Sequence, residues 1–118
     1  MNSETHAQAK PRPEDVISPD AIIKAMYDTI SGPAGKRNWH RLRSLYLDGA
    51  RLIPIGKRVH KDGELQVMSV DEWIEDVKDF FAENAFYESE IVRHFHRFGN
   101  IIQAFSTYEA RDEMEGKP

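Results

Sequence analysis

Ile91-Val-Arg-His-Phe-His-Arg-Phe-Gly-Asn-Ile-Ile-Gln-Ala-Phe-Ser-Thr-Tyr108 is the stretch that decides the fold. Two runs rich in aromatic and β-branched residues flank Gly99-Asn100, a two-residue loop whose twist suits a β-hairpin. Strands are expected over 86–98 and 101–111. Phe98 then faces Ile101, and each step back along one strand meets a step forward along the other. One face carries Val92, His94, His96 and Phe98 against Thr107, Phe105, Gln103 and Ile101. The other carries Ile91, Arg93, Phe95 and Arg97 against Tyr108, Ser106, Ala104 and Ile102. Both faces are partly apolar, so both need cover. One set of helices covers one face only, and a second subunit is expected on the other. The pattern therefore predicts a homodimer through the sheet.

Upstream of the hairpin, Ser69-Val-Asp-Glu72 has the spacing of a capping box. Val70, Trp73, Ile74, Val77, Phe80 and Phe81 follow at helical spacing and make the strongest amphipathic helix of the chain. Before it lies a β segment, Ala50-Arg-Leu-Ile-Pro-Ile55, in which Pro54 marks an edge, a bulge or a strand end. Lys61-Asp62-Gly63 is a turn signal, and residues 64–68 read as a short return strand. The first helix starts at Ser18-Pro19-Asp20, an N-cap, a Pro at the first helical position and an acid in the first turn. It carries Ile22, Ile23, Met26, Tyr27 and Ile30 on one face and ends at Ser31-Gly32-Pro33. A shorter helix follows Asn38, with Trp39, Leu42, Leu45 and Tyr46 together, and Asp48-Gly49 closes it. Residues 1–17 are polar, hold Pro11 and Pro13 and show no periodicity, so they are expected to form a flexible arm. Residues 18–118 are expected to form a single α+β domain.

The chain has 118 residues, one domain by size, with a formal net charge of −4. That balance lacks the excess of Lys and Arg typical of nucleic-acid binders. The absence of cysteine excludes disulfides, thiolate metal sites and a Cys nucleophile. No apolar run approaches the ~18 residues of a membrane span, and Met-Asn-Ser-Glu-Thr-His at the N-terminus has no secretory pattern. A cytoplasmic location without membrane contact is the expectation.

Catalytic motifs are missing: there is no Gly-x-Gly-x-x-Gly, phosphate loop, His-Glu-x-x-His or Gly-x-Ser-x-Gly. Gly32-Pro-Ala-Gly35 is too short for a phosphate cradle and reads as a loop between helices. His94 and His96 alternate with Phe95 and project together, about 6–7 Å apart. With Glu90 or Glu109, expected further along the same face, they could hold a metal. Nothing else shows ligand spacing, and the plainer reading is an interface pair, so no metal and no cofactor are expected. At an interface, protonation of both would weaken a dimer in mildly acidic solution. Trp39, Trp73, Phe80 and Phe81 suit a core better than a ligand box. Tyr27 is either a core residue or a hydrogen-bonding group in a pocket. Arg93 shares its face with Ser106 and Tyr108 and needs an anion or a route to water, from Glu75, Asp76 or a ligand carboxylate.

Tyr27-Asp-Thr-Ile-Ser-Gly-Pro-Ala-Gly35, Trp39-x-x-Leu-x-x-Leu-Tyr46 and Gly49-Ala-Arg-Leu-Ile-Pro54 resemble the opening of the SnoaL-like proteins of the nuclear transport factor 2-like superfamily. Val67-Met-Ser-Val-Asp-Glu-Trp73 and Arg97-Phe-Gly-Asn-Ile-x-Gln-x-Phe-Ser-Thr-Tyr-Glu109 continue the likeness, which covers residues 19–111. The resemblance implies a cone-shaped, curved antiparallel sheet with three helices, a cystatin-like fold, usually as a homodimer. It spans isomerases, polyketide cyclases, dehydratases and binding modules. In its isomerase-like members a Tyr on the first helix donates to the developing oxyanion, and Tyr27 sits in a similar place. Their general base is an Asp on the first strand just before a Pro, whereas here Leu52-Ile53-Pro54 offers no carboxylate. Asp48 belongs to the preceding turn. The family's last two strands would begin near Glu115-Gly-Lys-Pro118, so the resemblance implies a chain truncated there.

The reading that follows is a small-molecule-binding domain with a hydrophobic pocket. Its candidate lining is Tyr27, Trp73, Phe95, Ser106 and Tyr108, with Arg93 meeting an anion. One alternative is a cofactor-free isomerase, cyclase or dehydratase of a small hydrophobic, polyketide- or steroid-like substrate, with Tyr27 as the catalytic candidate. The other is a protein-interaction module using the sheet face.

Overall fold

Ser18 starts the first helix as its sequence foretells: its Oγ accepts from the Ala21 amide at 3.0 Å, and Pro19 follows at the first helical position. The computed structural model describes residues 9–55 and 65–113. Within them a mixed α+β fold combines three helices, α1 (Pro19–Ile30), α2 (Trp39–Ser44) and α3 (Val70–Glu83), with two antiparallel strand pairs. β1 (Arg51–Leu52) pairs with β2 (Met68–Ser69), and β3 (Tyr87–Phe98) pairs with β4 (Ile101–Arg111). The expected turn at Lys61-Asp62-Gly63 and the first residue of the expected return strand lie outside the described residues, as do residues 1–8 of the arm. β1 and β2 are shorter than the sequence suggests, and Pro54, which cannot donate to a ladder, lies two residues beyond β1.

Part of the expected arm is packed. Pro13–Asp15 makes one 3₁₀ turn, and Asp15 is buried beneath a bidentate pair with Arg41, at 2.8 Å to Nε and 2.9 Å to Nη2. That guanidinium holds the Asp15 carboxyl below the usual range, and periodicity along the arm gives no hint of a partner on α2.

The capping box is formed: Ser69 Oγ accepts from the Glu72 amide at 3.1 Å, and Glu72 Oε1 accepts from the Ser69 amide at 2.9 Å. It aims Ile74 and Phe81 at Ile30, Trp39 and Leu42, which together form the core. Trp39 meets Trp73 edge-on, with ring centroids 6.3 Å apart, and Phe81 lies 5.1 Å from Phe86. Phe80, expected on the apolar face of α3, is half exposed and meets Phe81 and Phe86 edge-on.

The segment from 31 to 37 is more than a loop. Arg37 is buried, and its guanidinium donates to four carbonyls: Ile30 at 2.8 Å, Pro33 at 2.7 Å, and Gly32 and Gly35 at 3.0 Å each. It also lies 5.1 Å above the Phe81 ring. Carbonyls left over at a helix C-terminus favour a cation, which explains why an arginine can be buried here with no carboxylate beside it.

Gly99, at φ +59°, makes the hairpin turn that glycine makes without steric cost. From Phe98↔Ile101 to Val92↔Thr107 the register is the expected one. It then slips at a β-bulge: Glu90, not Ile91, lies opposite Tyr108. The slip overturns two expectations. Ile91 does not share a rung with Tyr108, and Glu90 moves to the face of Arg93 and Ser106, away from His94 and His96.

The Arg37→Met variant is expected to lose about 2–4 kcal/mol in urea unfolding, because four buried or partly buried carbonyls lose their donor. Arg37→Lys should recover only part of the loss, an ammonium being unable to span the same fork.

Candidate functional site

The face of β3 and β4 turned towards α1 gathers the polar side chains. Tyr27 Oη lies 2.7 Å from Ser106 Oγ, and the Ser106 hydroxyl in turn donates to Glu90. A serine has one proton to give, so Tyr27 is the donor to Ser106. Glu90 is clasped by Arg93, with Nε to Oε2 at 3.0 Å and a second bond from Nη2, and Arg93 Nη1 reaches Asp20 on α1. The expectation that Glu75 or Asp76 on α3 meets Arg93 is corrected: Glu90 and Asp20 do so, because the bulge places Glu90 three residues before Arg93 on the same face. Arg93 holds the Glu90 carboxyl below its usual range, while burial pushes the Tyr27 phenol up.

Asp20, Tyr27, Glu90 and Arg93 line a cleft of about 390 Å³ beside α1 that also takes in Lys24, Asp28 and Glu88. Glu88 belongs to a second space too. A cavity of about 320 Å³ opens under β1 and α2, walled by Met26, Ile30, Leu42, Leu52 and Ile53, with Tyr46, Trp73, Tyr108 and Glu88 contributing. Glu88 is held at this junction by its backbone. Its amide donates to Ser31 Oγ at 2.9 Å, and that hydroxyl donates back to the Glu88 carbonyl at 3.3 Å. Burial pushes the Glu88 carboxyl up to about 7. Burial likewise raises the Tyr46 phenol.

The six residues singled out from sequence are spread over three neighbouring spaces. Trp73 and Tyr108 line the 320 Å³ cavity; Tyr27 and Arg93 line the cleft, with Ser106 bonded to Tyr27. The Tyr27 and Tyr108 rings, 5.8 Å apart, connect the two. Phe95 lies elsewhere, in an apolar groove with Ile22, Ile23 and Ile102, although the Arg93 guanidinium sits 5.7 Å from its ring. His94 and His96 are exposed on the opposite face, where the His96 ring packs edge-on to Phe105 at 5.6 Å. Among the described residues no three His, Asp or Glu side chains gather as a metal site would require.

Glu88 escaped the sequence reading, which placed Glu90 beside the two histidines and Tyr46 among the apolar residues of the second helix. Glu88 and Glu90 alternate at the start of a strand, which is the only signal available. The bulge at Ile91 changes which face they share, and no residue type in the sequence marks it. No family model, no curated protein and no solved structure matches this chain. Among the described residues no helix is long and apolar enough to cross a membrane.

An acid with a raised folded-state value holds its proton more tightly when folded. The fold therefore gains most from Glu88 below the ordinary carboxyl range and loses that gain as the pH rises towards 7. Urea midpoints should fall from pH 5 to pH 7.5 in the wild type and fall less in Glu88→Gln, which should be the more stable of the two at pH 7.5.

Proposed function

We propose that the chain is a SnoaL-like, nuclear transport factor 2-like domain that binds a small hydrophobic molecule and works as a homodimer. The observation that carries the binding reading is the 320 Å³ cavity, at the lower end of the range of ligand sites. Aliphatic walls, three aromatic rings and one carboxyl form the usual composition of such a site: apolar bulk with a few polar groups to orient the ligand. The order of helix, short helix, strand pair, helix and long hairpin supports the family, and with it the cone-shaped sheet.

The isomerase-like alternative draws less support. The Tyr27 hydroxyl is engaged by Ser106, and β1 carries no carboxylate towards the cavity. A polar contact to the bound molecule falls instead to Glu88. The dimer reading is supported by the outward face of the hairpin, where Val92 and Phe105, the latter 52% exposed, flank the two histidines. Protein interaction through this face amounts to the same surface with a different occupant.

A neutral apolar fluorophore, N-phenyl-1-naphthylamine, should brighten on mixing with the protein. Leu52→Trp, which fills the cavity from β1, should weaken that binding at least tenfold with the circular dichroism unchanged; undiminished binding would place the ligand elsewhere. In sedimentation velocity the wild type should run as a dimer and Phe105→Glu as a monomer, and a monomeric wild type would remove the dimer.

A further inference from the structure

We propose that the molecule taken up by the cavity is a small apolar amine, bound as its ammonium against the Glu88 carboxylate. The inference rests on the binding reading above and names its ligand class. It begins with charge. Four carboxylates and two cations line the cleft that shares Glu88 with the cavity. Both cations are occupied: Arg93 by Glu90 and Asp20, Lys24 by Asp28 at 2.8 Å. Among the described residues, Glu88 has no ion-pair or hydrogen-bond partner for its carboxylate. A ligand carboxylate would meet uncompensated negative charge, and a neutral ligand would leave that charge partly buried without a partner. An ammonium removes the cost and adds a charge-assisted hydrogen bond.

The rest of the wall points the same way. Tyr46, Trp73 and Tyr108 line the same cavity as Glu88. Aromatic faces attract cations through the ring quadrupole, best when water is excluded, and rings combined with a carboxylate are the chemistry that recognises alkylammonium groups. Ile30, Leu42 and Leu52 offer the hydrocarbon part of the ligand an apolar wall.

Affinity should follow the ionisation of Glu88, which titrates near 7. The groups that face it are Asp20, Lys24, Tyr27 and Asp28 on α1, Glu90 and Arg93 on β3, Tyr108 on β4, and Tyr46 just after α2. Among the described residues no histidine lines either space, so Glu88 is the group there expected to change charge between pH 6 and 8. An alkylamine keeps its proton across that window, its pKa being close to the lysine value of about 10.4.

The experiment compares 2-cyclohexylethylamine with 2-cyclohexylethanol by isothermal titration calorimetry, on the full chain and on Glu88→Gln. At pH 8 the wild type should bind the amine at least tenfold tighter than the alcohol. Between pH 8 and pH 6 the amine should weaken roughly five- to tenfold while the alcohol does not weaken. Glu88→Gln, which keeps the backbone bonds to Ser31, should bind both alike. Equal binding of amine and alcohol to the wild type at pH 8, or a preference that survives in Glu88→Gln, overturns the amine and leaves the cavity standing. Binding of neither overturns the amine and the cavity reading together. The pH series uses the wild type alone, so it decides the question even if Glu88→Gln does not fold.

Discussion

The end of α1 is fastened to the start of β3, and the rest of the site depends on that seam. Gly32 and Phe86 exchange two backbone hydrogen bonds, at 2.8 and 2.9 Å, and one rung on Ser31 Oγ bonds both backbone groups of Glu88. An amide and a carbonyl taken from water need partners, and here the two segments supply each other's. The Arg37 guanidinium completes the seam by satisfying four carbonyls around the turn and covering Phe81. The helix that bears Tyr27 and Met26 is thereby held against the strand that bears Glu88 and Glu90. Both spaces beside Glu88 exist because those two elements cannot slide.

The bulge at Ile91 decides what the seam presents. Without it Glu90 would stand on the outer face near His94, and Arg93 would look inward with no anion from its own strand. With it, a chain of contacts runs from Tyr27 through Ser106 and Glu90 to Arg93 and Asp20, each donor meeting an acceptor. The partly buried charges are matched within the protein, a condition for keeping them there. Glu88, two residues earlier, is left out of this network and faces the aromatic cavity. The inserted residue carries both carboxylates to the inner face together, and their different surroundings there give them different roles. One is held charged by a guanidinium. The other is pushed towards the neutral form by its surroundings.

How much of this was legible is best judged residue by residue. Ser18, Asn38 and Ser69 announce their helices, and the side chain of each bonds the amide three residues on, because a cap needs only a few neighbouring residues. Gly99-Asn100 sets the turn and the register near it for the same local reason. Asp15, read as part of a loose arm, is buried against Arg41, a partner 26 residues away with no local signature. Arg37, just past the loop read at Gly32–Gly35, is buried because of where carbonyls converge in space. Trp73 and Tyr108 were placed near a pocket by type and face, whereas Phe95, on the face of Arg93, came to lie in a separate groove because the hairpin runs past the start of α1.

By itself the sequence determined the elements: where three helices begin, where the hairpin turns, which faces are apolar, and that no thiol chemistry is available. These follow from hydrogen bonds and periodicities that span a few residues. The tertiary structure alone decided which side chains share a space. It placed Glu88 among Tyr46, Trp73 and Tyr108, turned Glu90 towards Arg93, and sent the histidines to the outer face. Those outcomes depend on a ladder slip and on a seam between segments about 55 residues apart, where the partners are chosen by unpaired backbone groups rather than by any residue pattern.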